Sequence, residues 1–130
     1  MEKVNLETAT KDVERWLDYK KVKPRRREQF QAFIDTLVDA VQVGQLVLED
    51  DMTFKMNLDF PVAETSELKF KPRISDTQLS NYKRNIKGAD AWDTQQLVLL
   101  CGLTDQSTAI IKGMDTSDRN TADAIIIFFQ

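Results

Sequence analysis

The chain has 130 residues, with 18 Lys and Arg against 21 Asp and Glu and a formal net charge of −3. That length suits one domain able to bury its own core without disulfides or metal, and the mild acidity gives no general pull toward nucleic acid or an anionic membrane. Histidine is absent, which removes the commonest general base and metal ligand, and the single cysteine, Cys101, has neither a disulfide partner nor an imidazole to activate it.

The N-terminal stretch MEKVNLETATKDVERW has no apolar signal core, and no apolar run approaches the roughly 20 residues that span a bilayer. A cytoplasmic protein that does not enter a membrane is the expectation. Residues 1–7 read as a loose start. Thr8 or Thr10 caps a first helix over about Ala9 to Lys21, whose apolar face is Val13, Trp16, Leu17 and either Tyr19 or the stem of Lys20. Trp16 reads as a core anchor rather than a stacking platform for a ligand.

A basic elbow follows. Six of the eight residues from Lys20 to Arg27 are cationic: Lys20, Lys21, Lys23, Arg25, Arg26 and Arg27. Pro24 suits the first turn of a second helix, where its missing N–H costs nothing. That helix is expected to run to about Val43, with Phe30, Phe33, Ile34, Leu37, Val38 and Val41 on one stripe and Gly44 at its C-terminal cap. The first 44 residues therefore read as a helical hairpin, packed on the remainder (45–130) as one domain overall. The elbow is a candidate phosphate contact. Asp12, Glu14, Asp18 and Glu28 cancel much of its field and no aromatic is interleaved with it, so a solvated turn is the preferred reading.

From Gln45 the period changes to two. Leu46 and Leu48 form a short strand ending at Glu49-Asp50-Asp51. Met52, Phe54, Met56, Leu58 and Phe60 then alternate with polar residues over nine positions, a strand with one wet face. Pro61 limits pairing there and suggests an edge or a strand end. Residues 63–66 make a turn, and Leu68 and Phe70 form a third strand reaching Pro72. The simplest arrangement is a three-stranded antiparallel meander. The acids 49–51 lack the spaced ligands of a calcium loop and read as a hairpin turn.

Ser75 or Asp76 caps a helix through Leu79, Tyr82 and Ile86 that Gly88 ends, and Asp90 or Asp93 restarts the chain. In the next helix Leu97, Val98, Leu100 and Cys101 form the apolar side and Gly102 is the expected stop, because glycine takes a left-handed cap without steric cost. Thr104 or Asp105 then caps a short helix through Ile110 and Ile111, closed by Gly113. Residues 115–118 offer side-chain oxygens for one more helix start. The last helix carries Ala122, Ala124 and then Ile125, Ile126, Ile127, Phe128 and Phe129. It is apolar all round near its end and must be buried, in its own domain or in a partner. These five residues are the candidate partner-binding face, and the edge of the 52–60 strand is a second candidate. Helical hairpin, small meander and about four C-terminal helices define an α+β fold.

No phosphate-cradling glycine motif is present, and no residues qualify as catalytic, cofactor-binding or metal-ligating. Binding and assembly are the expected roles. From residue 46 onward the layout resembles the tail assembly chaperones of long-tailed bacteriophages. The resemblance rests on the hairpin segments MTFKMNLDFPV and SELKFKPR, the capped helix ISDTQLSNYK, the phrase LVLLCGLT, the phrase KGMDTSD and the apolar end ADAIIIFF. Cys101 stands where a small or hydroxyl residue is usual, and Met114 where leucine is commoner. The resemblance implies a non-enzymatic, oligomeric protein without cofactors. Such proteins bind the helical tape measure protein in the host cytoplasm, recruit the tail tube subunit, and leave before the virion is complete. Two other roles stay open: a permanent virion structural or adaptor subunit, and a small nucleic-acid-binding regulator using the elbow.

Overall fold

In the computed structural model the described residues are 4–84, 86 and 92–129. They form an α+β fold with element order α1 (Leu6–Tyr19), α2 (Pro24–Gln29), α3 (Gln31–Gln42), β1 (Leu46–Leu48), β2 (Phe54–Val62), β3 (Thr65–Phe70), α4 (Asp76–Lys83), α5 (Trp92–Thr104), α6 (Thr108–Lys112), α7 (Thr116–Ile126) and a closing 3-10 turn, Ile127–Phe129. Among the described residues no helix is long and apolar enough to cross a membrane.

The first helix begins earlier than its threonines suggest. Asn5 is its N-cap, with Oδ1 accepting from the Thr8 N–H at 2.8 Å. It buries Ala9, Val13, Trp16 and Leu17 on one face. The expected single helix from Pro24 to Val43 is broken in two. Phe30 leaves helical geometry at φ −109°, ψ 31° and serves as both the end of α2 and the cap of α3. The break has a packing cause. It lets the Phe30 ring meet Phe128 edge-on at 6.2 Å and Phe33 at 5.8 Å, while α3 lies along α1. Gly44 follows α3 in the left-handed region, φ 84°, as the sequence suggests.

The sheet is antiparallel in the order β1-β2-β3, so β2 is central. Met52 is not in the strand. It sits at φ 70° in the turn before it, where Asp51 Oδ1 accepts from the Thr53 N–H at 3.0 Å. Phe54, Met56, Leu58, Leu68 and Phe70 face the core. The register then shifts: Asn57 pairs with Glu67, but Val62 pairs with Thr65, so residues 58–61 oppose Ser66 alone. This bulge ends the alternation and turns Phe60 outward to 58% exposure. Pro61 thus lies in the bulge at the end of the central strand, one residue before its last, and not on an edge strand.

The C-terminal helices correct the sequence reading at their ends. Gly102 is inside α5, where its missing Cβ admits Ile74; a Cβ would lie 2.7 Å from Ile74 Cδ1. The left-handed residue that follows α5 is Asp105, φ 56°. Leu97, Val98, Leu99, Leu100, Cys101 and Leu103 are all buried, so α5 is apolar on every side and central to the lobe. Burial pushes the Cys101 thiol pKa up. Ser107, not Thr104 or Asp105, caps α6. Gly113 does close α6 but in a right-handed conformation, φ −80°; it is small because Val62 Cγ1 and the Ala109 carbonyl crowd it. Asp115 caps α7. Ser75 caps α4 in a reciprocal box with Gln78. The expected stop at Gly88 and restart at Asp90 lie outside the described residues, and Asp93 falls within α5.

Trp16 sits where the parts meet. Its ring lies 5.0 Å from Phe54 of β2, 5.9 Å from Phe128 and 6.1 Å from Phe129. The N-terminal helices, the sheet and the last helix share one apolar core through it.

Candidate functional site

The last turn is interior. Ile125, Ile126 and Phe128 are buried, Ile127 and Phe129 half-buried, all within the same chain. The cause is that α7 is sandwiched: α3 packs on one side and α5 on another, while Phe128 and Phe129 cover Trp16. The five residues read as a partner-binding face therefore fill the chain's own core.

The basic elbow is split by its surroundings. Arg26 Nη2 donates to the Ile127 carbonyl at 2.7 Å, satisfying a carbonyl at the end of α7 with a cation. Arg27 donates from Nε to the Val22 carbonyl at 2.9 Å and from Nη2 to Asp18 at 2.9 Å. Lys20 Nζ donates to the Pro72 carbonyl at 3.2 Å and lies 3.3 Å from the Phe129 ring centroid. Burial, aided by the neighbouring charge of Arg73, lowers the Lys20 pKa to about 8. Lys21, Lys23 and Arg25 remain exposed. Half of the elbow's cations are thus structural clasps, and the rest form no groove with aromatic walls.

Glu49, Asp50 and Asp51 form the β1–β2 turn, and among the described residues no group of three or more Asp, Glu or Cys side chains is placed to hold a metal ion. The half-buried Tyr82 donates its hydroxyl proton to Asp105, which also accepts from Lys71 Nζ at 2.9 Å. These contacts hold the Asp105 carboxyl below its usual range and the Tyr82 phenol above its own, tying α4 to the end of α5.

The sequence reading missed a trough between α1 and α3. Its floor is Leu6, Leu17, Ile34 and Val38, and its rim carries Thr10, Glu14, Gln31, Asp35 and Asp39 around a space of about 320 Å³. Leu6 is 58% exposed. The helices run antiparallel, the start of α1 being pinned by Val4 N–H donating to the Gln42 carbonyl at 3.1 Å. A second hollow of about 550 Å³, lined by Asp18, Val22, Pro24, Arg27, Glu28 and Gln31, continues it around the elbow and shares Arg27 and Gln31 with it. Leu6, Thr10, Glu14 and Leu17 recur at helical spacing, a signal hidden because residues 1–7 read as a loose start.

Comparison with family models and curated proteins, and of the fold with solved structures, gives no match.

Proposed function

We propose that this chain is a non-enzymatic assembly protein that binds an apolar helical partner through protein–protein contacts. The role is the one implied by its resemblance to phage tail assembly chaperones, which act in the host cytoplasm on a tape measure-like protein and on tail subunits. The observation that bears on the reading is the hollow between α1 and α3, where Leu6 stands 58% exposed at the mouth above Leu17, Ile34 and Val38, which the chain itself buries. An exposed apolar side chain such as Leu6 is one anchor that a partner's amphipathic helix can cover. The phrases that carry the resemblance, LVLLCGLT, KGMDTSD and ADAIIIFF, fall on α5, on the α6–α7 junction, and on the end of α7 with its closing 3-10 turn, and they build the core on which α3 rests.

Co-expression with the tape measure protein of the same phage tests this. The chain should hold that protein in the soluble fraction, and purified virions should lack the chain. A tape measure protein that precipitates equally with and without it overturns the reading, and a stoichiometric copy number in virions favours a permanent structural subunit instead.

A further inference from the structure

β3 is an edge strand, with β2 on one side and no strand on the other. The ladder fixes which backbone groups point out along that free side. The Asn57 N–H donates to the Gln45 carbonyl, on the β1 side of β2, and alternate residues of a strand direct their N–H and C=O groups to opposite sides. Phe54 and Met56 therefore bond toward β3, where they face Phe70 and Leu68. Glu67, Lys69 and Lys71 are left pointing outward. The Lys71 N–H shows the direction: it donates at 3.0 Å to the Leu103 carbonyl beyond the edge. The outward groups of Glu67 and Lys69 meet no partner among the described residues, and both residues are exposed. On the wet face Lys69 stands directly across from Lys55, while Glu67 lies 3.7 Å from that same Lys55. Lys69 forms no ion pair among the described residues, and like charges directly opposite each other are destabilising.

An open edge with this pattern is complementary to itself. We propose that two copies of the chain pair through β3, antiparallel about a two-fold axis at Leu68, joining their sheets into one. In that register Glu67 faces Lys69 of the second copy, Lys69 faces its Glu67, and each pair exchanges both backbone bonds. An axis at Glu67 or at Lys69 sets like charges opposite each other. Only the axis at Leu68 uses both open residues and places a carboxylate beside each Lys69, on the side away from Lys55. Charges on an edge strand discourage pairing with other chains; acid and base two positions apart favour a strand of the same sequence. The ladder stops at Lys71, which α5 already holds. There a hollow of about 420 Å³ between β3 and residues 104–106 leaves room for the second copy's β2–β3 turn. A strand of 6 residues buries far less than the roughly 1,600 Å² of a stable complex, so the pairing is weak and grows with concentration. It is independent of the assembly role above.

Sedimentation velocity of the purified chain over about 10 µM to 1 mM tests this. The average mass of the parent should rise with concentration toward that of a dimer. Glu67→Lys and Lys69→Glu each turn two attractive pairs into two repulsive ones. Each variant alone should associate about tenfold more weakly, since an exposed ion pair is worth only a few-fold. An equal mixture of the two variants should associate like the parent, because two lysines on one edge then face two carboxylates on the other. That recovery separates pairing at β3 from misfolding, which mixing cannot repair. A parent that stays monomeric over the whole range overturns the proposal. So does association that neither reversal weakens, or a mixture that associates no better than its components; the edge is then open to a strand of another protein instead. Each result is obtained on this chain alone and leaves the assembly role untouched.

Discussion

Asp118 is fully buried, yet no cation pairs with it among the described residues. Three donors hold its carboxylate: Gln45 Nε2 at 3.0 Å, the Asp59 N–H at 3.1 Å and the Phe60 N–H at 3.0 Å. The last two belong to the β2 bulge, whose backbone has left the sheet ladder, and the next residue is Pro61, which has no N–H to satisfy. Thr121 and Gln45 complete the buried network. A bulge inside a central strand exposes donors that must find acceptors, and α7 supplies them with one side chain. Replacing Asp118 by alanine strands those donors and should cost about 3 to 5 kcal/mol; Asp118→Asn, which turns an amide NH₂ toward one of them, should cost about 2 to 3 kcal/mol. Urea denaturation midpoints measure both. In the sequence Asp118 is one of four polar residues crowded at a helix start, and nothing local sets it apart from Asp115, which is the cap. Its role depends on a strand some 60 residues earlier, a distance no helix-start rule reaches.

At the scale of elements, the apolar periodicities gave the three strands and the kind of every element, but six helices where seven form, and the other errors gather at the ends of elements. Gly102 was expected to stop α5, but the helix continues until Asp105, because leucines on both sides of the glycine are buried and keep the helix in the core. Phe60 was expected to face inward, but the bulge rotates it out. The helix after Pro24 was expected to be continuous, but Phe30 breaks it to reach Phe128. Each time a long-range contact overrides a local preference. The final turn is the strongest case: five large apolar residues in succession cannot share one face, and the two-sided burial between α3 and α5 resolves this without another chain. Phe128→Ala should therefore destabilise the protein by about 3 to 5 kcal/mol, and removing residues 125–130 should unfold it, as followed by circular dichroism. A truncated chain that stays folded and loses only a binding activity would return these residues to an interface role.

For the molecule as a whole, the α+β class and the position of Trp16 in the core were legible from composition and period. The trough was not, because a groove is a property of two helices and each alone shows only half of it. Charge bookkeeping over the whole sequence hid it as well: the cations of the elbow and the acids of the trough nearly cancel in the total. The elbow also sets how overall stability responds to pH. Lys20 has its pKa lowered to about 8 in the folded state, so above that value the unfolded chain binds the proton more tightly. Stability should then rise from about pH 8 toward pH 10, by about 1 kcal/mol once the solvent-exposed part of the side chain is discounted. Above about pH 10 the raised Tyr82 pKa acts in the opposite direction, since the folded state there holds a proton that the unfolded state has released. Thermal melts across this range should show the rise in the parent and lose it in Lys20→Met, which keeps the stem over Trp16 and Phe129 without the charge.

Trp16 also has a consequence for the order in which the protein can be completed. Its partners Phe54 and Phe128 lie far apart along the chain, and Arg26 waits for a carbonyl at Ile127. A ribosome makes about 5 to 20 residues per second, so for several seconds the N-terminal helices and the sheet exist with the aromatic pocket open on one side. The pocket closes only when the segment carrying Phe128 has left the exit tunnel. During that interval the nascent chain presents an apolar cavity to its surroundings, and its own last helix must arrive before a stranger's does.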